Sequence, residues 1–211
     1  MKKICYIAAR PPRAGQVKTR LGAAIGYEAA AALYAAFLRD LEHKFAVAPF
    51  PVHWYVTPGD WADRPHLEQG EGDWTARQAR LFKQAPGRGE EAVVLIASDS
   101  PQIELASINQ AFSALEHNQL VLGPVDDGGY YLIGMNGWHD VFTGVEMTTP
   151  TAMGDLVKRA RDLGLSISYT EELFDVDEVG DLQRLAGILA VRDDLQHTRY
   201  ALAQTKSELP A

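Results

Sequence analysis

Two acids and two glycines interrupt an apolar stretch at Asp126-Asp127-Gly128-Gly129, between Leu122-Gly123-Pro124-Val125 and Tyr130-Tyr131-Leu132-Ile133-Gly134. Glycine lets backbone come close to a ligand that a Cβ would hold off, and a neighbouring carboxylate can hold a metal or a hydroxyl. An Asp-Gly hairpin turn has the same composition, so this run gains meaning from three other places. Arg10-Pro11-Pro12-Arg13-Ala14-Gly15-Gln16-Val17-Lys18-Thr19-Arg20 is a cationic loop ahead of a helix, where backbone N–H groups and cations can converge on a phosphate. Ser98-Asp99-Ser100-Pro101 follows an apolar run. Ser100 can cap a helix opened by Pro101, which leaves Asp99 free to face a crevice. Asp175-Val176-Asp177-Glu178 offers one acid to cap the next helix and one to spare.

Acids at three strand ends beside one cationic loop suit a divalent cation and a polyphosphate. Carboxylate oxygens are hard ligands fitted to Mg²⁺ or Mn²⁺, which would neutralise a diphosphate leaving group. Zinc does not fit, because the six histidines show no ligand spacing. Gly15-x-x-Lys18-Thr19 lacks the adjacency of a P-loop, and no Gly-x-Gly-x-x-Gly follows the first apolar run, which argues against a dinucleotide-binding domain.

The elements that must position these residues are strands at Ile4–Ala9, Val52–Thr57, Ala92–Ala97, Leu120–Leu122, Tyr130–Met135 and Leu165–Tyr169, where apolar and β-branched residues cluster. Helical patterns lie between them at Gly26–Ala46, Glu104–His117, Thr151–Leu163 and Val179–Arg192. This alternation predicts a three-layer α/β/α domain with a mostly parallel, mixed sheet. One domain over residues 1–195 and a polar tail over 196–211 are expected. The irregular segment 58–89 reads as a substrate-binding excursion, with Glu71 and Asp73 as its candidates for holding an acceptor. Ligands of open α/β sheets bind beyond the carboxyl ends of the strands, which is where the four polar runs fall.

Composition sets the outer bounds. At 211 residues and 46% hydrophobic content the chain can bury a core without metal or disulfide staples. Its single cysteine, Cys5, lies in an apolar run and excludes an internal disulfide. Net charge is −8, against a general nucleic-acid binder, yet residues 1–20 carry six cations and no acid. That cationic segment on an acidic chain suits a small anion. Met1-Lys2-Lys3 with Ile4–Ala9 is too short for a signal peptide, and no span reaches transmembrane length, so a cytoplasmic protein without stable membrane insertion is expected. Nothing in the sequence indicates an oligomeric state.

Five ordered motifs resemble a family of bacterial glycosyltransferase-like proteins of the arsenosugar-biosynthesis type, and more distantly the 2-phospho-lactate guanylyltransferases. They are Gly15-x-Val17-Lys18-Thr19-Arg20-Leu21, Gln69-Gly70-Glu71-Gly72-Asp73, Ser98-Asp99-Ser100-Pro101, Gly123-Pro124 through Gly134, and Asp175-Val176-Asp177 with Asp181-Leu182. The resemblance implies the nucleotide-diphospho-sugar transferase (GT-A) fold. It puts Asp99 and Asp177 in the places of metal-binding acids and turns Lys18 and Arg20 toward nucleotide phosphates, with Arg10, Arg13, Gly15 and Ser98 around the nucleotide. Arg10 replaces the family's usual Lys, and Ala76 stands where an acid often follows Gly-Glu-Gly-Asp.

The leading expectation is a metal-dependent glycosyltransferase acting on a nucleotide sugar and a small acceptor. Asp127 would be its general base or acceptor ligand, Lys18 and Arg20 would stabilise charge, and Gly128 and Gly129 would admit the acceptor. The alternative is a nucleotidyltransferase, in which a phosphorylated acceptor attacks a nucleoside triphosphate and releases pyrophosphate. Its nucleophile is already anionic and needs no base. A non-catalytic binding protein ranks third, because acids at three strand ends repel one another without a cation.

Overall fold

The computed structural model describes residues 1–61, 64–147 and 149–208, without the side chains of 206–208. Seven strands form one sheet: β1 (Lys3–Ala9), β2 (Val52–Val56), β3 (His66–Glu68), β4 (Ala92–Ala97), β5 (Leu120–Pro124), β6 (Tyr130–Asn136) and β7 (Ile167–Tyr169). Their order is β3-β2-β1-β4-β6-β5-β7. Only β6 runs against its neighbours β4 and β5; the other pairings are parallel. Central strands read as unbroken apolar runs because both of their faces are covered. In β4, Ala92, Val94 and Ile96 pack to one side and Val93 and Leu95 to the other.

Helices α1 (Thr19–Ile25), α2 (Tyr27–Phe45), α4 (Leu105–Ala114), α6 (Val179–Leu189) and α7 (Gln196–Glu208) contribute to the first face. Helices α3 (Trp74–Gln84) and α5 (Ala152–Asp162) cover the second. In α2, Leu33, Phe37 and Leu41 recur at helical spacing and are fully buried, each worth about 1.5–3 kcal/mol of burial. The three-layer α/β/α architecture is therefore as the sequence predicts.

Three local expectations are corrected. The helix expected from Gly26 is found as α2, but the end of the cationic loop ahead of it is itself a short helix, α1, and Gly26 separates the two with φ 92° and ψ 141°. Segment 58–89 is more regular than expected. It holds β3 and α3, and the buried stripe Gln78, Leu81 and Phe82 keeps α3 on the sheet. The expected polar tail is largely helix α7, docked on α2; residues 209–211 lie outside the described residues. Asp40 of α2, 1% exposed, accepts from the first N–H groups of α7, His197 at 3.0 Å and Thr198 at 2.8 Å. Those donors have no partner inside the helix, and a carboxylate also suits the positive end of the helix dipole. Thr198, Leu202 and Thr205 form the stripe that α7 buries.

Candidate functional site

The sheet changes direction at β1, whose neighbours are β2 on one side and β4 on the other, and a crevice at the carboxyl ends of such strands is the usual ligand position. The loop after β1 ends at Lys18. Its φ of 47° and ψ of 46° make it the only non-glycine with positive φ among the described residues. This conformation costs about 1–3 kcal/mol and needs compensation. The Lys18 ammonium makes a short ion pair with Asp99 Oδ1, just past β4, and lies 3.0 Å from Asp177 Oδ1, just before α6. Burial disfavours that ammonium, but the carboxylates of Asp99 and Asp177 outweigh it and hold its pKa above the ordinary lysine value. The Lys18 side chain is 3% exposed, against 42% for each acid, so the carboxylates keep an open side.

Backbone bonds explain why such distant segments meet here. Val176 N–H donates to the Asp99 carbonyl at 2.9 Å, and Asp181 Oδ2 accepts from the N–H groups of Asp177 and Glu178 at 3.0 and 2.8 Å. Glu178 and Asp181 form the capping box of α6, so the acid that caps this helix is Glu178 and Asp177 is spare. Ser100 does not cap α4, which begins only at Leu105. Its hydroxyl donates instead to Asp175 Oδ1 at 2.5 Å. Burial, helped by the nearby Asp99 charge, pushes the Asp175 carboxyl up to about 7.

Ser98 belongs to a second contact that sequence reasoning missed. Its Oγ lies 2.8 Å from Tyr34 Oη, which also accepts from Arg10 N–H at 3.2 Å. Burial pushes this phenol up to about 12, so it stays protonated at neutral pH. Tyr34 sits inside the apolar pattern of α2, where nothing in the sequence separates it from core residues.

Asp126-Asp127-Gly128-Gly129 is the turn between β5 and β6. Gly128 N–H donates to the Val125 carbonyl at 3.2 Å, Val125 N–H donates to the Gly129 carbonyl at 3.2 Å, and Asp127 Oδ1 accepts from Gly129 N–H at 2.9 Å. Because β6 is antiparallel to β4, this turn lies at the same end of the sheet as Asp99. Gly128 has φ 91°, and a Cβ there would stand 2.0 Å from the Pro150 carbonyl oxygen. Gly128 thus makes a close approach to the chain itself, at Pro150. Asp126 pairs with Arg184 of α6 at 2.7 Å, and that guanidinium stacks 3.9 Å from the Phe174 ring centroid.

The remaining expected residues divide. Gly15, at φ 73°, makes the turn of the cationic loop. Arg10 and Arg13 line a cleft of about 370 Å³ with Gln16, Thr57, Pro58 and Arg77. Arg20 is 71% exposed and only 3.9 Å from Glu178 Oε1, a solvated pair of little energetic weight. Asp73 caps α3 through Ala76 N–H at 2.8 Å, and the Glu71 carbonyl accepts from Arg80 at 2.6 Å. Neither is tied to the Lys18 cluster by a hydrogen bond or ion pair among the described residues. Asp73 instead borders a wider groove of about 840 Å³ between α3 and the chain after β6.

Asp99 and Asp177 already share one cation, and their donor set fits Mg²⁺ or Mn²⁺, which commonly take one or two carboxylates and complete their shell with phosphates and water. No group of three or more metal-binding side chains exists among the described residues, so the protein by itself supplies only part of such a shell.

A family model described as "uncharacterized protein conserved in bacteria (DUF2064)" matches residues 30–149. No curated protein matches the chain. A crystal structure of a candidate nucleotide-diphospho-sugar transferase from Desulfovibrio desulfuricans is similar, with 27% identity, a TM-score of 0.87, and 98% of this chain and 97% of that one covered. A cytidylyltransferase from Leptospira borgpetersenii matches at 11% identity and TM-score 0.57, covering 100% and 99% of the two chains. The inositol-1-phosphate CTP transferase from T. maritima matches at 12% identity and TM-score 0.51, covering 100% and 98%. The fold is that of the nucleotide-diphospho-sugar transferases.

Proposed function

We propose that this chain, which belongs to the DUF2064 family, is a nucleotide-dependent transferase, and that it moves a sugar from a nucleotide diphosphate donor to a small acceptor. The observation that carries this reading is the Lys18 ammonium seated between Asp99 and Asp177 at the switch point of the sheet. Asp99 and Asp177 would hold the Mg²⁺ or Mn²⁺, which when bound supplies charge neutralisation at the diphosphate. Lys18 adds a fixed positive charge beside it. Arg10, Arg13 and Arg20 surround the phosphates, Gly15 shapes the loop, and Ser98 fixes Tyr34 at the crevice wall.

In sugar transfer the bond from the anomeric carbon to the diphosphate oxygen breaks, and a bond from that carbon to the acceptor oxygen forms. The acceptor proton goes to Asp127, whose Oδ1 is held by Gly129 N–H and whose second oxygen faces no partner among the described residues. Gly128, Gly129, Glu71 and Asp73 complete the acceptor side in this reading. The similarity to the D. desulfuricans protein over nearly all of both chains supports a nucleotide-sugar donor.

One observation favours nucleotidyl transfer as a second reading. The Arg10, Arg13 and Arg77 cleft carries more positive charge than a diphosphate requires, and no acid is among its described lining residues. Incubation with nucleotide sugars and nucleoside triphosphates, with and without Mn²⁺, separates the two. Metal-dependent release of a nucleoside diphosphate from a nucleotide sugar supports sugar transfer. Pyrophosphate release from a triphosphate, with no nucleotide sugar consumed, would overturn it.

A further inference from the structure

The geometry points to Arg77 as a specificity-determining residue of a second anion site, which takes a phosphoryl group carrying at least two negative charges. The cleft lies on the β2 side of the cationic loop: Arg10, Arg13 and Gln16 come from that loop, Thr57 and Pro58 follow β2, and Arg77 projects from α3. The Lys18 ammonium faces the opposite way, toward the segments after β4 and before α6. Nothing in the motif-bearing residues of the sequence singles out Arg77.

Clustering of uncompensated charge marks this cleft. In a chain of net charge −8, arginines 64, 88, 184, 192 and 199 all have carboxylate partners. Arg10, Arg13 and Arg77 have no ion pair among the described residues, a trait they share with Arg39, Arg80, Arg159 and Arg161, but these three line one cleft together. Three guanidinium groups around about 370 Å³ repel one another until an anion enters, and a phosphoryl group offers each the paired oxygens that a planar guanidinium fits.

Arg77 is also held ready for a ligand. Its Nη1 donates to Gln69 Oε1 at 3.2 Å, and Gln69, 4% exposed, is fixed by donating from Nε2 to the Tyr55 carbonyl at 2.8 Å. Tyr55 Oη donates to the Arg77 carbonyl at 2.6 Å. Each of these partners is neutral, so the side chain is positioned and its charge is left uncompensated. Arg77 Nε is buried without any hydrogen-bond partner among the described residues. A buried donor left unpaired is costly and calls for an explanation such as a ligand or a water.

The phosphoryl group has two sources, the distal phosphates of a nucleotide or a phosphate on the acceptor. The inference rests on the transferase reading for which of these is the natural ligand, but the site itself can be tested without a nucleotide.

Calorimetric titration of the full chain with inorganic pyrophosphate is the test, on wild type, Arg77→Gln and Arg77→Lys. Arg77→Gln should weaken binding about 10- to 100-fold, the usual effect of losing a charge-assisted hydrogen bond. Arg77→Lys should recover part of the loss, since it restores charge without the paired geometry, and it serves as the probe if the Gln variant fails to fold. Repeating the titration with nucleoside mono-, di- and triphosphates and with a sugar phosphate assigns the source. A loss growing with phosphate number marks the nucleotide tail, and a loss confined to the sugar phosphate marks the acceptor. No pyrophosphate binding by wild type, or equal binding by wild type and both folded variants, overturns the inference. Arg77-dependent pyrophosphate binding in a protein that turns over no nucleotide would leave the site standing and remove only the transferase reading.

Discussion

Lys18 Nζ lies 3.0 Å from Asp177 Oδ1, a contact between residues 159 positions apart. The same ammonium also pairs with Asp99, so one buried cation joins the loop after β1, the end of β4 and the segment leading into α6. Two half-exposed acids are thereby held close together by one ammonium.

Lys18→Met keeps the aliphatic stem and removes the charge. Two carboxylates would then face each other uncompensated, although their 42% exposure limits the cost. The expected loss of stability is about 1–3 kcal/mol, below that of breaking a fully buried pair. Urea denaturation checks it. Adding Asp99→Asn and Asp177→Asn to the Lys18 variant should restore part of the lost stability, and persistence of the full loss would assign the effect to packing.

Gly128→Ala puts a Cβ 2.0 Å from the Pro150 carbonyl oxygen at a φ of 91°. The turn or the start of α5 must shift, at a cost of about 1–3 kcal/mol for the backbone conformation alone. Gly15→Ala has the same sign of φ but meets no atom within 4 Å, so it should destabilise less. Thermal unfolding of the pair separates steric clash from backbone strain.

Asp127→Asn preserves size while removing the proton-accepting charge. Under sugar transfer, turnover should fall roughly 10²- to 10⁴-fold with donor binding retained. Loss of donor binding would make Asp127 a metal or phosphate contact, and unchanged turnover would reduce its role to the hydrogen bond with Gly129.

Like Glu42 and Asp140, whose carboxyls are also lowered, Asp194 contributes to the acid limb of stability. Hydrogen bonds from Arg192, at 2.8 and 2.6 Å, hold its carboxyl well below the usual carboxylate range, with further help from the Lys44 ammonium at 2.8 Å. A pKa depressed by folding contributes stability that is complete above the unfolded value, about 3.9, and is lost as pH falls through the folded one. Asp194→Asn should therefore lower stability at neutral pH and flatten its decline below about pH 4. Chemical denaturation at a series of pH values reads both effects.

Much of this architecture is legible in the sequence because the strands are apolar on both faces and the acids follow them directly. Asp99 could be picked out on that ground, whereas Asp177, eight residues past β7, is singled out from its neighbouring acids by the family resemblance. What the sequence does not show is that Lys18 bonds to both, since that depends on the Val176-to-Asp99 backbone bond bringing two distant segments together. Helix α3 stayed hidden behind Gly70-Glu71-Gly72-Asp73, whose glycines suggest a loop while Asp73 serves as the helix cap. Helix α7 stayed hidden because two of the three buried residues among its described side chains are threonines and its anchor, Asp40, lies in α2. Asp126-Asp127-Gly128-Gly129 is readable both as a turn and as a site, and the structure shows the turn.

The central place of β1, made first and flanked by β2 and β4, has a consequence for biosynthesis. Ribosomes add about 5–20 residues per second, so this apolar strand waits for both partners while the chain between them is being made. Cys5 pairs with Val52 on one side and Val94 on the other and ends fully buried. Burial of the Cys5 thiol thus depends on both neighbours of β1, so its loss of access to solvent reports closure of the middle of the sheet.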